Sequence, residues 1–202
     1  MLPDPKYMAI IIQRNTNLDW GMRSEIVLWL IGILSKSPFQ QETIYLTINY
    51  MDRFLSLHEV SRDKLLLVVT VALLIATKYQ EGEPIRIRDL QRLCKNTYKA
   101  KDFLKAEIIM LEKLQYRLGW PVPLIFLSRI NEKDEGELKH RATIMAQYFL
   151  EAILVDKSFV AMRPSITAAA AYCLARSMLG SEWVRFLKYP ISRIVYTNII
   201  LD

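Results

Sequence analysis

Histidine, cysteine and glycine are scarce in this chain, and each scarcity removes a class of chemistry. The two histidines, His58 and His140, are solitary, with no second metal ligand at a workable spacing. The two cysteines, Cys94 and Cys173, lie inside apolar helical stretches without a CxxC pair or a neighbouring histidine. That pattern argues against a zinc site, a disulfide framework or a cysteine nucleophile, and for reduced packing residues. The six glycines form no phosphate-cradling loop. Long apolar runs are missing too: the longest without a charge, Leu65 to Thr77, falls short of the about 20 residues that span a bilayer. Sustained alternation of apolar and polar residues between turn signals does not occur, which speaks against a sheet. The remaining carboxylate groupings, Glu81 with Glu83 and the stretch Asn131 to Glu137, sit beside proline or glycine and read as solvated loops rather than catalytic dyads. These absences predict a chain with no catalytic residues, no cofactor and no metal.

What the chain has in quantity is apolar residues, 52% of 202 positions, with aromatics at 10%. That composition is globular, and the length suffices for one large domain or two of roughly 100 residues, each with its own core. Met1 to Lys6 carries two prolines and an acid where a secretory signal has a basic start and an apolar run, so an intracellular protein is expected. The net charge is +6, part of it concentrated in Arg86, Arg88, Arg92, Lys95, Lys99, Lys101 and Lys105, opposed in that stretch only by Asp89 and Asp102. A solvated basic face accounts for this cluster; attraction of acidic partners or nucleic acid is the alternative.

Helical periodicity runs over about residues 4 to 14, 22 to 35, 42 to 56, 62 to 78, 87 to 94, 99 to 118, 123 to 131, 137 to 155, 164 to 179, 182 to 188 and 190 to 201. Ser61 and Asp63 suit a cap and first turn, and Pro121 and Pro123 suit the end of the helix before them. Pro164 and Pro190 suit first helical positions, and Gly180 the residue just past a helix end. The chain also repeats itself faintly. Leu67, Thr70, Ala72 and Ala76 match Ile166, Ala169, Ala171 and Ala175 at a constant offset, each set following a basic residue, Arg62 or Arg163. Alanines four apart let neighbouring helices approach closely, as the central helix of a bundle requires. The expectation is an all-α chain: a leading helix and linker over 1–20, then two tandem five-helix domains over 21–121 and 122–202.

Three charged residues interrupt apolar helix faces. Asp52 shares a row with Ile48 and Leu55, Lys78 with Val71 and Leu74, and Glu107 with Leu104 and Leu111. Burying an isolated ionised group costs several kcal/mol or more, so these residues must meet each other, a backbone or another protein.

Around these charges the sequence resembles a known family. MRSEIVLWL from Met22, ETIYLTINYMDRFLS from Glu42, KLLLVVTVALLIATKYQE from Lys64 and NTYKAKDFLKAEIIMLEKLQYRL from Asn96 are similar to the cyclin box of A- and B-type cyclins, with a looser match through a second box to Leu201. The resemblance implies the cyclin fold, a nuclear and cytoplasmic location, and an activating regulatory subunit of a cyclin-dependent serine/threonine kinase in cell-cycle control. Five box-defining positions carry the matching residues: Arg23, Asp52, Leu67, Lys78 and Glu107. Arg23 and Asp52 would form an internal structural pair. Lys78 and Glu107 would reach main-chain groups of the kinase beside its mobile regulatory helix, flanked by Tyr79, Ile108, Leu111, Tyr116 and Leu118 and by Tyr7 and Ile11 of the leading helix. On spacing alone, Lys78 and Glu107 can equally pair with each other or with Arg23 and Asp52, and Leu111 and Leu118 fit core and interface alike.

The family also implies a shallow apolar groove that recruits short linear motifs of substrates or inhibitors. Its matching residues are Met22, Ile26 and Trp29, spaced for one helix face, with Leu65 on a neighbouring helix. Glu25, Leu28 and Leu66 depart from the usual pattern, and a carboxylate at Glu25 weakens apolar docking. Two rival readings stay open. One is a cyclin-fold general transcription factor that binds DNA, slightly favoured by the basic cluster and opposed by Lys78 and Glu107. The other is a plain helical scaffold.

Overall fold

The computed structural model describes residues 19–180. The helices expected at 4 to 14, 182 to 188 and 190 to 201, with Tyr7 and Ile11, lie outside the described residues. Within them the protein is all helix, without a strand. In chain order these are α1 (Trp20–Leu34), α2 (Gln41–Leu57), α3 (Leu65–Gln80), α4 (Ile87–Leu93), α5 (Ala100–Lys113), α6 (Pro123–Lys133), α7 (Lys139–Ala152) and α8 (Pro164–Met178). Short 3-10 turns occupy Arg62–Lys64 and Lys157–Phe159. The chain divides into two compact units, Met1–Trp120 and Pro121–Asp202.

The first unit is organised around α3. Its residues from Val68 to Thr77 are all buried, and α2 and α5 pack against it. Ala72 and Ala76 have no exposed surface, so the neighbouring helices close on the bare backbone there. Helix α1 starts where the Asp19 carboxylate accepts the Met22 N–H at 2.8 Å, and it packs on α2. Helix α2 is held at its start by Glu81, just past α3, whose carboxylate accepts the Gln40 N–H at 2.9 Å and the Thr43 hydroxyl. Helix α5 starts with the Lys99 N–H donating to the Asp102 carboxylate at 2.8 Å.

Helix α5 is shorter than its periodicity predicts. It ends at Lys113, not 118, because the chain turns sharply through Gln115 and Tyr116, both left-handed with φ of 53° and 54°. The Tyr116 N–H closes the turn onto the Leu111 carbonyl at 2.9 Å. Helix α4 ends the same way, with Lys95 and Asn96 at φ of 50° and 58° and the Asn96 N–H on the Gln91 carbonyl at 2.7 Å. No glycine marks either turn. Left-handed backbone costs a residue with a side chain about 1–2 kcal/mol, so tertiary contacts must hold both.

In the second unit α6, α7 and α8 pack on one another. Pro123 opens α6, as the helix expected from residue 123 requires, and its missing N–H loses no hydrogen bond there. Helix α7 is likewise shorter than the predicted 137 to 155, since its final residues turn out into the loop before Lys157. Gly180 follows α8 with φ +74°, as its position suggested. Asp134 anchors this unit from a buried position: its carboxylate accepts the Gly136 N–H at 2.8 Å and the Tyr172 hydroxyl, and pairs with Arg176 at 3.2 Å. Burial, then that hydrogen bond, push the Tyr172 phenol well above its usual pKa. The internal repeat has a structural counterpart: α3 and α8 start at matching positions, and Ala72, Ala76, Ala171 and Ala175 are all buried.

Candidate functional site

Packing of α3 against α5 brings Lys78 and Glu107 together. Lys78 Nζ donates to Glu107 Oε1 at 2.7 Å, 29 residues away in sequence. The two side chains differ in setting: Lys78 keeps 47% of its surface in water, Glu107 only 11%. Neither has a further hydrogen-bond partner among the described residues. Two Lys78 N–H bonds and the second Glu107 oxygen therefore remain for an incoming group. The pair offers a donor and an acceptor side by side at the rim of a helical unit, the arrangement that recognises exposed backbone N–H and C=O groups.

Apolar side chains stand exposed around the pair. Tyr79 follows Lys78, Ile108 follows Glu107, and Tyr116 lies on the left-handed turn; they are 52%, 55% and 65% exposed. Leu111 and Leu118 are half-buried. Leu104, one turn before Ile108, is exposed as well. Large apolar groups left in water beside a polar anchor are the mark of a surface that is covered by something.

Two residues of α2 that spacing did not single out hold the turn that carries Tyr116. The Tyr50 hydroxyl donates to the Leu118 carbonyl at 2.9 Å, and Arg53 Nη1 donates to the Arg117 carbonyl at 2.8 Å. Burial raises the Tyr50 phenol far above its ordinary pKa and lowers that of Arg53. Beyond the turn, a side chain at Gly119 would meet the Tyr79 hydroxyl, so the end of α3 lies close to the same segment. Arg53→Ala is expected to leave the left-handed turn without its main restraint. Unfolding free energy should fall by about 1–3 kcal/mol, and amide exchange at 115 to 118 should accelerate while the interior of α3 stays protected. Exchange measured by mass spectrometry checks this; unchanged protection at 115 to 118 would show that the turn holds itself.

A second ion pair lies apart from the first. Arg23 of α1 grips Asp52 of α2 with two parallel bonds, Nε to Oδ1 at 2.9 Å and Nη2 to Oδ2 at 2.8 Å, and both side chains are below 10% exposed. Burial works against the Arg23 charge, and the adjoining carboxylate outweighs it, so the guanidinium is held more firmly protonated than usual. Met22, Ile26 and Trp29 of α1 are half-buried, Leu65 is buried where α3 starts, and Glu25 and Leu28 are exposed. Leu67 is half-buried. Cys94 is buried at the end of α4, its thiol 3.7 Å from the Thr70 hydroxyl, and Cys173 is partly buried, its thiol pushed up to about 11 by burial. Among the described residues no cluster of potential metal ligands forms, and no helix is long and apolar enough to cross a membrane.

Family models place this arrangement. The model of the cyclin N-terminal domain matches residues 1–119, and that of the cyclin C-terminal domain matches residues 121–194. The chain belongs to the cyclin family. It is 40% identical over 182 residues to G2/mitotic-specific cyclin-4 of Candida albicans, covering 90% of this chain and 36% of that protein. This cyclin spans less than half the length of the curated relatives it matches. Its fold is similar to that of a viral cyclin from herpesvirus saimiri, with a TM-score of 0.79 at 16% identity over 93% of this chain and 82% of the other. It is also similar to a chain of the yeast RNA polymerase II CTD kinase CTDK-1 complex, with a TM-score of 0.71 at 14% identity over 90% and 63% of the two chains. Both likenesses bear on fold alone.

Proposed function

We propose that this cyclin is the activating regulatory subunit of a cyclin-dependent serine/threonine kinase in cell-cycle control, acting in the nucleus and cytoplasm and supplying no catalytic group. The observation that supports this reading best is the Lys78–Glu107 pair, half open to water and ringed by the exposed Tyr79, Ile108 and Tyr116. In this reading Lys78 and Glu107 hold main-chain groups beside the kinase's regulatory helix, and the apolar ring covers that helix as it rotates inward. The kinase's glutamate then meets its phosphate-binding lysine, and its activation loop leaves the substrate cleft. Interface free energy is spent on one of two kinase conformations, so activation is a shift of population. The mitotic-cyclin relatives and the kinase assembly among the structural neighbours support the same partner.

The exposed basic residues from Arg86 to Lys105 favour the other reading, a DNA-binding cyclin-fold factor. One experiment separates the two. The purified chain is mixed with a monomeric cyclin-dependent kinase, and phosphorylation of a histone-type substrate is measured, with duplex DNA binding followed in parallel over a salt series. A rise in rate of about two orders of magnitude or more is expected, which a shift of a few kcal/mol in the kinase's equilibrium provides. No activation, together with steeply salt-dependent duplex binding, would transfer the function to nucleic acid.

A further inference from the structure

The first unit carries a second apolar recess, built from different side chains than the Lys78–Glu107 site. Five segments line it: the end of α2 with Phe54 and His58, the linker and 3-10 turn with Val60 and Lys64, the start of α3 with Leu67, Tyr98 just before α5, and α5 with Asp102, Lys105 and Ile109. Its volume is about 610 Å³, within the range of small-molecule and side-chain pockets. It lies at the opposite end of α3 from Lys78, since eleven residues of helix from Leu67 to Lys78 rise about 16 Å.

The walls of the recess are braced. The Tyr98 hydroxyl donates to the Asp63 carbonyl at 2.6 Å, tying the segment before α5 to the 3-10 turn, and the Tyr98 ring meets Phe103 edge to face at 6.2 Å. His58 lies tilted on Phe54 with ring centroids 5.2 Å apart. A pocket held open in this way does not have to be ordered by its occupant. On its floor sit aliphatic side chains, among them Ile109, which is 44% exposed.

Charge narrows the choice of occupant. Lys64 and Lys105 line the recess, and Arg62, Lys99 and Lys101 are close in sequence to its lining residues; all five are exposed, and none of them forms an ion pair among the described residues. The acids nearby are Glu59, Asp63 and Asp102. Asp102 accepts the Lys99 N–H, and the Ser61 hydroxyl holds the Asp63 carboxyl below its ordinary pKa, so both stay charged. Five cations thus stand against three carboxylates, Glu59, Asp63 and Asp102, which leaves the surroundings of the apolar floor net positive.

We propose that this recess docks a short acidic peptide segment of a partner protein, one large apolar side chain entering between α2, α3 and α5 while flanking aspartates or glutamates meet Lys64 and Lys105. The apolar anchor supplies affinity, and the charges supply orientation and rate of encounter. The site is independent of the kinase reading: a chain that activated no kinase would still hold the peptide.

The test uses the full chain as bait for a displayed library of random peptides, with an excess of an Ile109→Glu variant in solution as competitor. Expected winners combine Phe, Leu or Trp with several acidic residues. Their affinity for the parent chain in solution, measured by fluorescence anisotropy with the labelled synthetic winner, should fall about tenfold or more on Ile109→Glu and severalfold on Lys64→Glu or Lys105→Glu. It should weaken as salt rises and be unchanged by Lys78→Ala. Ile109 and both lysines are exposed, so helical circular dichroism should match the parent in every variant. Enrichment of uncharged or basic peptides, affinity indifferent to Ile109→Glu, displacement of the winner by duplex DNA, or no enrichment at all would each overturn the proposal.

Discussion

Asp52→Ala will destabilise the first unit more than any other single truncation of a charged residue there. The substitution removes two short hydrogen bonds and takes the carboxylate counterion from the Arg23 guanidinium, which is below 10% exposed. Breaking a buried pair from one side costs about 3–5 kcal/mol, a large part of the 5–15 kcal/mol that holds a typical domain folded. Thermal unfolding followed by circular dichroism should shift down by roughly 15 °C or more. The cause is a buried charge deprived of its counterion rather than the lost attraction, and that has its own signature. An Arg23→Met, Asp52→Leu double variant leaves no charge behind and should recover most of the loss, so the double-mutant cycle shows strong coupling. An Asp52→Ala chain within about 1 kcal/mol of the parent would mean that α1 swings Arg23 into solvent at little cost.

That pair shows how far the sequence can be read. Helices were legible because each has one face that meets a neighbour, and the bundle's central helix because Ala72 and Ala76 leave no side chain to keep neighbours away. The interrupting charges were legible as a problem: Asp52, Lys78 and Glu107 stood in apolar rows and needed partners. Periodicity alone did not say which partner each takes. Lys78 and Glu107 are 29 residues apart, and their 2.7 Å contact exists only because α3 and α5 pack side by side.

What stayed hidden depends on tertiary contacts. From Ala100 through Leu118 the pattern continues as helix, with neither glycine nor proline to stop it, yet the helix ends at Lys113. The stop is imposed from α2, where Tyr50 and Arg53 take the carbonyls of Leu118 and Arg117 and hold Gln115 and Tyr116 in left-handed backbone. Tyr116 therefore stands on a turn, not on a helix face, and its 65% exposure follows from that. Pro123 suits both the end of one helix and the first position of the next, and a helix over 123 to 131 was legible on that second ground. The recess below Ile109 was invisible because its walls come from separate stretches, none of which is unusual by itself.

Replacing Lys78 or Glu107 by Ala will separate stability from function. Half of Lys78 lies in water, so solvent screens its pair with Glu107, and folding gains only about 1 kcal/mol or less from it. Glu107→Ala leaves an ammonium that water can solvate, and the variant should unfold within a few degrees of the parent. Lys78→Ala strands a carboxylate at 11% exposure and should cost more, about 1–3 kcal/mol, yet stay folded. Kinase affinity responds differently: at a covered interface, removing either member of a hydrogen-bonded charged anchor costs about 2–5 kcal/mol, so binding should weaken by roughly 30-fold to several thousandfold. Because the two act as a unit, the double alanine variant should lose little more than either single one. The decisive chain is the exchange Lys78→Glu with Glu107→Lys, which keeps an ion pair between α3 and α5. If the pair serves only its own bundle, the exchanged chain activates the kinase like the parent. If donor and acceptor must face a fixed backbone on the partner, it fails like the alanine variants while its helical signal and unfolding temperature stay near the parent's.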